Sequence, residues 1–209
     1  MIRSITIRRF RGFREIKVEG LASINLLVGR NNSGKTTLLE AIHLLSAQGD
    51  VSTLWNAMSR RGERFGESRD SSARTASPEI DVCHLFHGHR LEVGISFDID
   101  AQTDDGTKQI SYQIGDFPQQ QTLPFTEETE STSGVLALEV DGDSLPQPAQ
   151  LPLTVRGGLT LDSIRRQSAR SVKTEDRSPV NFIGTESLNP DDLGILWREI
   201  ALLRKRIKL

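Results

Sequence analysis

The chain has 209 residues, of which 36% are hydrophobic, and its 26 basic and 28 acidic side chains give a net charge of −2. This length suits about one to one and a half compact domains, and the near-neutral balance argues against wholesale nucleic-acid binding. The lone cysteine, Cys83, excludes an internal disulfide, charge from Arg3 onward reads unlike a signal peptide, and no apolar run approaches the ~20 residues of a membrane span, so a cytoplasmic protein is expected.

Residues 2–10 and 13–19 alternate apolar and polar and predict two strands, with Arg11-Gly12 as the turn or bulge between them. The first 35 residues carry Arg3, Arg8, Arg9, Arg11, Arg14, Lys17, Arg30 and Lys35 against Glu15 and Glu19, or 8 − 2 = +6. The group reads as the solvated face of an edge strand; nucleotide attraction or a DNA-facing edge is the alternative. The apolar segment Ser23–Val28 predicts a short buried strand.

Residues 29–36 read Gly-Arg-Asn-Asn-Ser-Gly-Lys-Thr, a full G-x-x-x-x-G-K-[ST] phosphate-loop pattern. Its chance occurrence in a chain of this length is about one in a hundred. After it, Leu38, Ile42 and Leu45 share a helical face, predicting a helix over 35–48 stopped by Gly49. The chemistry follows from the charge of a polyphosphate. Gly29 and Gly34 permit left-handed backbone and close approach. Main-chain N–H groups around Asn31, Asn32, Ser33, Thr36 and Thr37 form an anion-binding nest at a helix N-terminus. Lys35 is the expected point charge at the β- and γ-phosphates of ATP, and the Thr36 hydroxyl the expected Mg²⁺ ligand.

Val51, Leu54, Trp55 and Met58 predict a second short helix ending at Gly62, with Trp55 as a packing residue rather than an adenine stacker. Residues 62–79 are polar and predict a mobile loop, and 80–87 a short helix. Leu91, Val93, Ile95, Phe97 and Ile99 alternate with polar residues, Asp104-Asp105-Gly106 supplies a turn, and Ile110, Tyr112 and Ile114 alternate again, which predicts a hairpin. Residues 115–133 are a polar excursion, and 135–140 and 151–155 predict two strands around a Pro-rich connector. Residues 162–178 read as an exposed loop or frayed helix. A final amphipathic helix is expected with Asn189 as N-cap, Pro190 in its first turn, and Leu193, Leu196, Trp197, Ile200 and Leu203 on one stripe. Three of the four histidines fall at 84, 87 and 89; on a helix Asp81, His84 and His87 would share a face as zinc ligands do, but the spacing matches no common ligand set and reads as a surface cluster.

Ile5–Phe13 followed by Ile24–Ile42 resembles the N-terminus of ABC-type ATPase heads of the RecF, SMC and OLD kind, often described as AAA-type. Asn31 at the third loop position is typical of that group, and Gly12 stands where relatives often carry Ser. A later stretch from Phe182 through Asn189–Leu193 to Trp197 also resembles a segment of these proteins. The resemblance implies an α/β fold of the P-loop NTPase class, with a mixed or antiparallel sheet in the head. It also implies ATP and Mg²⁺ as cofactors, Arg11 near the nucleotide, and pairing of heads, as a homodimer or with a complementary ATPase half, around sandwiched ATP. DNA or a nuclease are further partners it implies; a membrane is not.

Such heads also need an apolar strand ending in Asp-Glu and a Ser-Gly-rich signature loop, and neither is found. The nearest segments, Ile95–Asp100 and Leu136–Asp141, alternate and read as half-exposed antiparallel strands. The chain therefore reads as the N-terminal portion of a longer or split protein, incomplete toward its C-terminus. Its expected divisions are a phosphate-loop core over 1–61, a strand-rich lobe over 62–160, and a charged linker with helix over 161–209. The leading functional reading is an ATP-binding segment whose complete assembly hydrolyses ATP. The rivals are a non-hydrolysing, nucleotide-dependent interaction module and an inert fragment.

Overall fold

The computed structural model of the chain describes residues 1–65, 78–117, 135–143 and 145–170. Elements run β1 (Ile2–Phe10), β2 (Phe13–Val18), α1 (Lys35–Ala47), α2 (Ser52–Arg60), β3 (Glu79–Asp81), a 3₁₀ turn (Val82–Leu85), β4 (Ser96–Thr103), β5 (Gly106–Phe117), β6 (Val135–Gly142), β7 (Ala149–Pro152), β8 (Gly158–Thr160) and α3 (Leu161–Arg170). One six-stranded sheet has the order β2-β1-β4-β5-β6-β7, and β3 pairs with β8 in a second. Among the described residues every strand pairing is antiparallel.

The period-2 pattern sets which face of the large sheet is buried. Ile5 and Ile7 of β1, Phe97, Ile99 and Ala101 of β4, and Ile110, Tyr112 and Ile114 of β5 all lie in one core under α1. Phe10 breaks the odd-numbered alternation yet is buried, because Arg9 takes a left-handed φ of 55° and turns the chain over. Phe97 stacks on Tyr112 with centroids 4.6 Å apart, and Phe10 tilts against Phe97 at 4.9 Å. The opposite face is held by ion pairs. Arg8 binds Asp100, Arg9 binds Asp98 at 2.5 Å, and Arg3 binds Asp104 at 2.5 Å. Much of the N-terminal positive charge is thus paired within the fold.

The β4–β5 hairpin closes with the pair Thr103↔Gly106 around Asp104-Asp105, where the turn was expected. Its first strand starts later than the alternation suggests. Gly94 has φ 88°, which breaks extended backbone, so Val93 is exposed and β4 begins at Ser96. The expected helix over 80–87 is instead β3 followed by the 3₁₀ turn, whose start is fixed by Asp81 accepting from the Cys83 N–H at 3.1 Å. The strand expected over 151–155 is centred earlier, on Ala149–Pro152, and Gly158–Thr160 adds a strand the pattern did not show. The start of the 162–178 stretch is helical as α3. Residues 115–117, expected to open the polar excursion, extend β5 instead; the expectations for 66–77, for 118–133, for 171–178, and for the 182–197 segment and the helix after Asn189 lie outside the described residues.

The largest departure is at Ser23–Val28. No strand forms there, and Ile24, Leu26 and Val28 are 91%, 85% and 80% exposed. Among the described residues no backbone hydrogen bond joins Ile24–Val28 to a neighbour. The apolar run has the composition of a buried strand, but no described strand pairs with it. Composition signals a wish for burial; only a partner strand satisfies it.

His43, half-buried on α1, supplies a stability test. Burial, then the charge of Arg60, lowers its pKa below the ordinary 6.5, with Glu40 opposing. The unfolded chain therefore takes up this proton at a higher pH than the folded one, and stability falls as pH drops through 6.5 toward the folded value. Thermal melts across this range should show that decline, and His43→Gln should flatten it.

Candidate functional site

Gly29–Ser33 and Thr36 are exposed, and Thr37 is buried at the base of α1. Left-handed backbone occurs at Asn32, φ 61°, and at Gly34, φ 86°, but not at Gly29, where it was also expected. Asn32 tolerates it as few non-glycine residues do, and Gly34 is the residue for which it costs least. Gly34 has a second reason to lack a side chain, since a Cβ there would sit 2.5 Å from the Phe13 ring. Gly34→Ala should therefore disturb both the loop and its contact with β2; a drop in melting temperature measures it, and Phe13→Leu should return part of the loss.

The loop ends on the helix. Leu38 N–H donates to Gly34 O at 2.9 Å, whereas among the described residues no backbone acceptor is recorded for the N–H groups of Gly34, Lys35, Thr36 or Thr37, and no side chain caps them. The first turn of α1 carries no acidic residue. These free donors, together with the helix dipole, favour an anion. Lys35 Nζ folds over the loop and donates to Gly29 O at 2.9 Å and Arg30 O at 2.7 Å, with Ser33 Oγ at 3.4 Å. Left-handed backbone, open N–H groups and Lys35 thus all occur at the start of α1.

Arg11 is placed differently from the loop residues. Its side chain is 6% exposed and engaged with two carboxylates: Nε lies 3.0 Å from Glu40 Oε2, and Nη1 2.6 Å from Glu63 Oε1. Arg61 holds the other Glu40 oxygen at 2.7 Å and reaches Thr37 Oγ1 at 3.4 Å. A chain of contacts through Glu40 and Arg61 thus joins Arg11 to Thr37 at the base of the loop. Sequence reading missed Glu40, Arg61 and Glu63. The available signal was Glu40 itself, a carboxylate on the same side of α1 as the buried Thr37, Ala41 and Leu44, which demands a buried cation.

Asp98 and Asp100, in the segment nearest to the missing Asp-Glu strand, are occupied by Arg9 and Arg8, and Ser111 Oγ donates to Asp98 at 3.0 Å. The histidines divide. His87 Nδ1 lies 3.0 Å from Arg11 O, while His84 Nε2 lies 3.7 Å from Asp81 Oδ2. The Cys83 thiol is pushed up to about 12 by burial, then by Asp81 and Glu63, so it is a neutral thiol rather than an activated nucleophile. Beside the exposed Ile24–Val28 row, an apolar groove of about 450 Å³ runs between Ile2, Ile5, Val18, Leu27, Leu38 and Ile42.

Residues 1–139 match the family model of the AAA ATPase domain, and the chain belongs to that family. Three similar proteins set the context. An uncharacterized protein of Methanocaldococcus jannaschii is 51% identical over 49 residues, covering 23% of this chain and 22% of the relative. An ATP/GTP phosphatase of Helicobacter pylori is 25% identical over 133 residues, covering 64% and 35%. A DNA replication and repair protein RecF of Heliobacterium modesticaldum is 44% identical over 48 residues, covering 23% and 13%. The chain thus spans about a third or less of the length of these relatives. Among the described residues no helix is long and apolar enough to cross a membrane.

Proposed function

We propose that Gly29–Thr37 is the phosphate loop of a P-loop ATPase head of the ABC type, and that this chain binds ATP through it. The observation that carries this reading is the helix start, where the open N–H groups of Gly34–Thr37, the left-handed Asn32 and Gly34, and Lys35 occur together. The donor set fits a polyphosphate, and Thr36, exposed at the first turn, offers a hydroxyl suited to Mg²⁺. Bound Mg²⁺ would neutralise charge developing on the phosphates. The chain's own share is to hold the β- and γ-phosphates with main-chain N–H groups and Lys35. Arg11 supports the loop from below through Glu40.

The water-orienting carboxylate and the signature loop would come from outside the described residues, in a homodimer or with a complementary ATPase half. Hydrolysis then belongs to that assembly, in the cytoplasm, and turnover by this chain alone is poor. The RecF-named relatives favour DNA repair as the setting, with antiphage defence and a nuclease partner as the other settings the resemblance implies.

A second reading rests on its own observation. The exposed Ile24, Leu26 and Val28, beside an apolar groove, form an unpaired row that a neighbouring strand would cover. In that reading the chain is a nucleotide-dependent interaction module without hydrolysis. Titration with Mg·ATP, followed by the melting temperature, tests the shared premise; no rise at millimolar nucleotide would sink both. Adding the complementary head portion and measuring phosphate release separates them: release supports the ATPase, and its absence supports the module.

A further inference from the structure

The loop that grips Arg11 carries a second cluster of ligand-type groups, independent of the nucleotide reading. Asp81, Cys83 and His84 each offer one ligand atom, and these atoms lie within 4.8 Å of one another. The local fold brings them together. Asp81 Oδ1 accepts from the Cys83 N–H at 3.1 Å, which ties the carboxylate back over the 3₁₀ turn. Its other oxygen is left 3.7 Å from His84 Nε2. Two ligands bound at 2.0–2.2 Å to a tetrahedral zinc stand about 3.3–3.6 Å apart, so this edge is already close to the required length.

A fourth group stands beside them. Gly88 and His89 both take left-handed φ, 83° and 56°, and the chain turns back on itself. That reversal sets the His89 ring edge-on to His84, with centroids 5.0 Å apart. Two imidazoles that share one tetrahedral zinc have centroids about 5 Å apart, from the same bond lengths. His87 is not part of the set: its ligand atoms are not among those that come together, and its Nδ1 lies 3.0 Å from the Arg11 carbonyl. Arg11 approaches His84 O at 3.5 Å and is balanced by Glu40 and Glu63.

The geometry points to a zinc site in which Asp81, Cys83 and His84 bind the ion and His89 closes the tetrahedron after a side-chain rotation. Mixed thiolate, imidazole and carboxylate donors select zinc over the hard cations Mg²⁺ and Ca²⁺. The ion's role is structural. The 81–89 segment is fastened to the β1–β2 turn by Arg11 N–H to Leu85 O at 2.8 Å and His87 N–H to Arg9 O at 2.9 Å, so a metal here stiffens the seat of Arg11. Binding displaces the thiol proton, which leaves to solvent.

The test uses tag-free protein stripped with chelator and then titrated with zinc alone, with cobalt as a spectroscopic stand-in. One equivalent is expected, with a sulfur-to-cobalt charge-transfer band and a rise in melting temperature on adding zinc. Cys83→Ser and His84→Ala should each weaken zinc by about 100-fold or more and remove that rise, His89→Ala should weaken it, and His87→Ala should leave it unchanged. Melting in chelator shows whether each variant is folded, and a variant that melts with native protein there but gains nothing from zinc has lost the ligand alone. Absence of uptake by the native chain overturns the site, as does full stoichiometric zinc in the Cys83→Ser, His84→Ala double variant. Neither result depends on ATP.

Discussion

Lys35→Ala is expected to weaken ATP binding by roughly 10- to 100-fold while leaving the melting temperature without nucleotide nearly unchanged. The estimate takes one charge-assisted contact at about 1.5–3 kcal/mol and tenfold per 1.4 kcal/mol. The unliganded fold should tolerate the change because, among the described residues, Nζ bonds only the loop itself, at Gly29 O, Arg30 O and Ser33 Oγ. Those carbonyls hold the ammonium over the helix start, where the β- and γ-phosphates are proposed to lie. Lys35→Arg keeps the charge but not the compact shape, and should fall between the two. Nucleotide titration by calorimetry or thermal shift decides it, and equal affinity in the native and Ala proteins would remove Lys35 from the site.

The second large effect concerns stability. Glu40→Ala leaves Arg11 buried with one partner fewer and frees Arg61 from the helix. Glu40 and Arg11 side chains are 4% and 6% exposed, so water does little to solvate what remains. Breaking a buried pair of this kind costs about 3–5 kcal/mol, which for a chain of this size lowers the melting temperature by roughly 6–20 °C. Replacing both members, Arg11→Met with Glu40→Leu, removes the orphaned charge as well as the pair and should recover much of the loss. If Glu40→Ala melts within a degree or two of the native protein, the cluster carries no stability. The same variant tests the link from Arg11 to the loop, since Arg61 reaches Thr37 only while Glu40 positions it.

Local pattern foretold what local physics determines. The β1–β2 pair, the turn at Asp104-Asp105, α1 and α2 follow from alternation, turn residues and helical spacing, and each forms within a residue or two of its expected bounds. The loop's backbone was equally legible, since Gly34 is left-handed and α1 starts at Lys35 as the motif implies. What sequence hid depends on distant partners. Ser23–Val28 reads as a strand on composition, yet its state turns on a neighbour that no described residue supplies. The resemblance sets Arg11 near the nucleotide; its pairing with Glu40 and Glu63 joins residues far apart in the chain and left no local trace. The β3 and β8 strands are three residues each and pair across the molecule, too short to leave a periodic trace.

The position of β1 has a consequence for how the protein is made. It lies inside the sheet, with β2 on one side and β4 on the other, and Ile2 is opposite Thr103. During synthesis the first strand therefore waits until about a hundred residues have left the ribosome, on the order of 5–20 s at ordinary elongation rates. Until then it has only the short β2 hairpin, which is marginal in water. Nascent chains should in that interval recruit trigger-factor-like holdases, and slowing translation after β4 emerges should raise the soluble yield, whereas slowing it earlier should lower it.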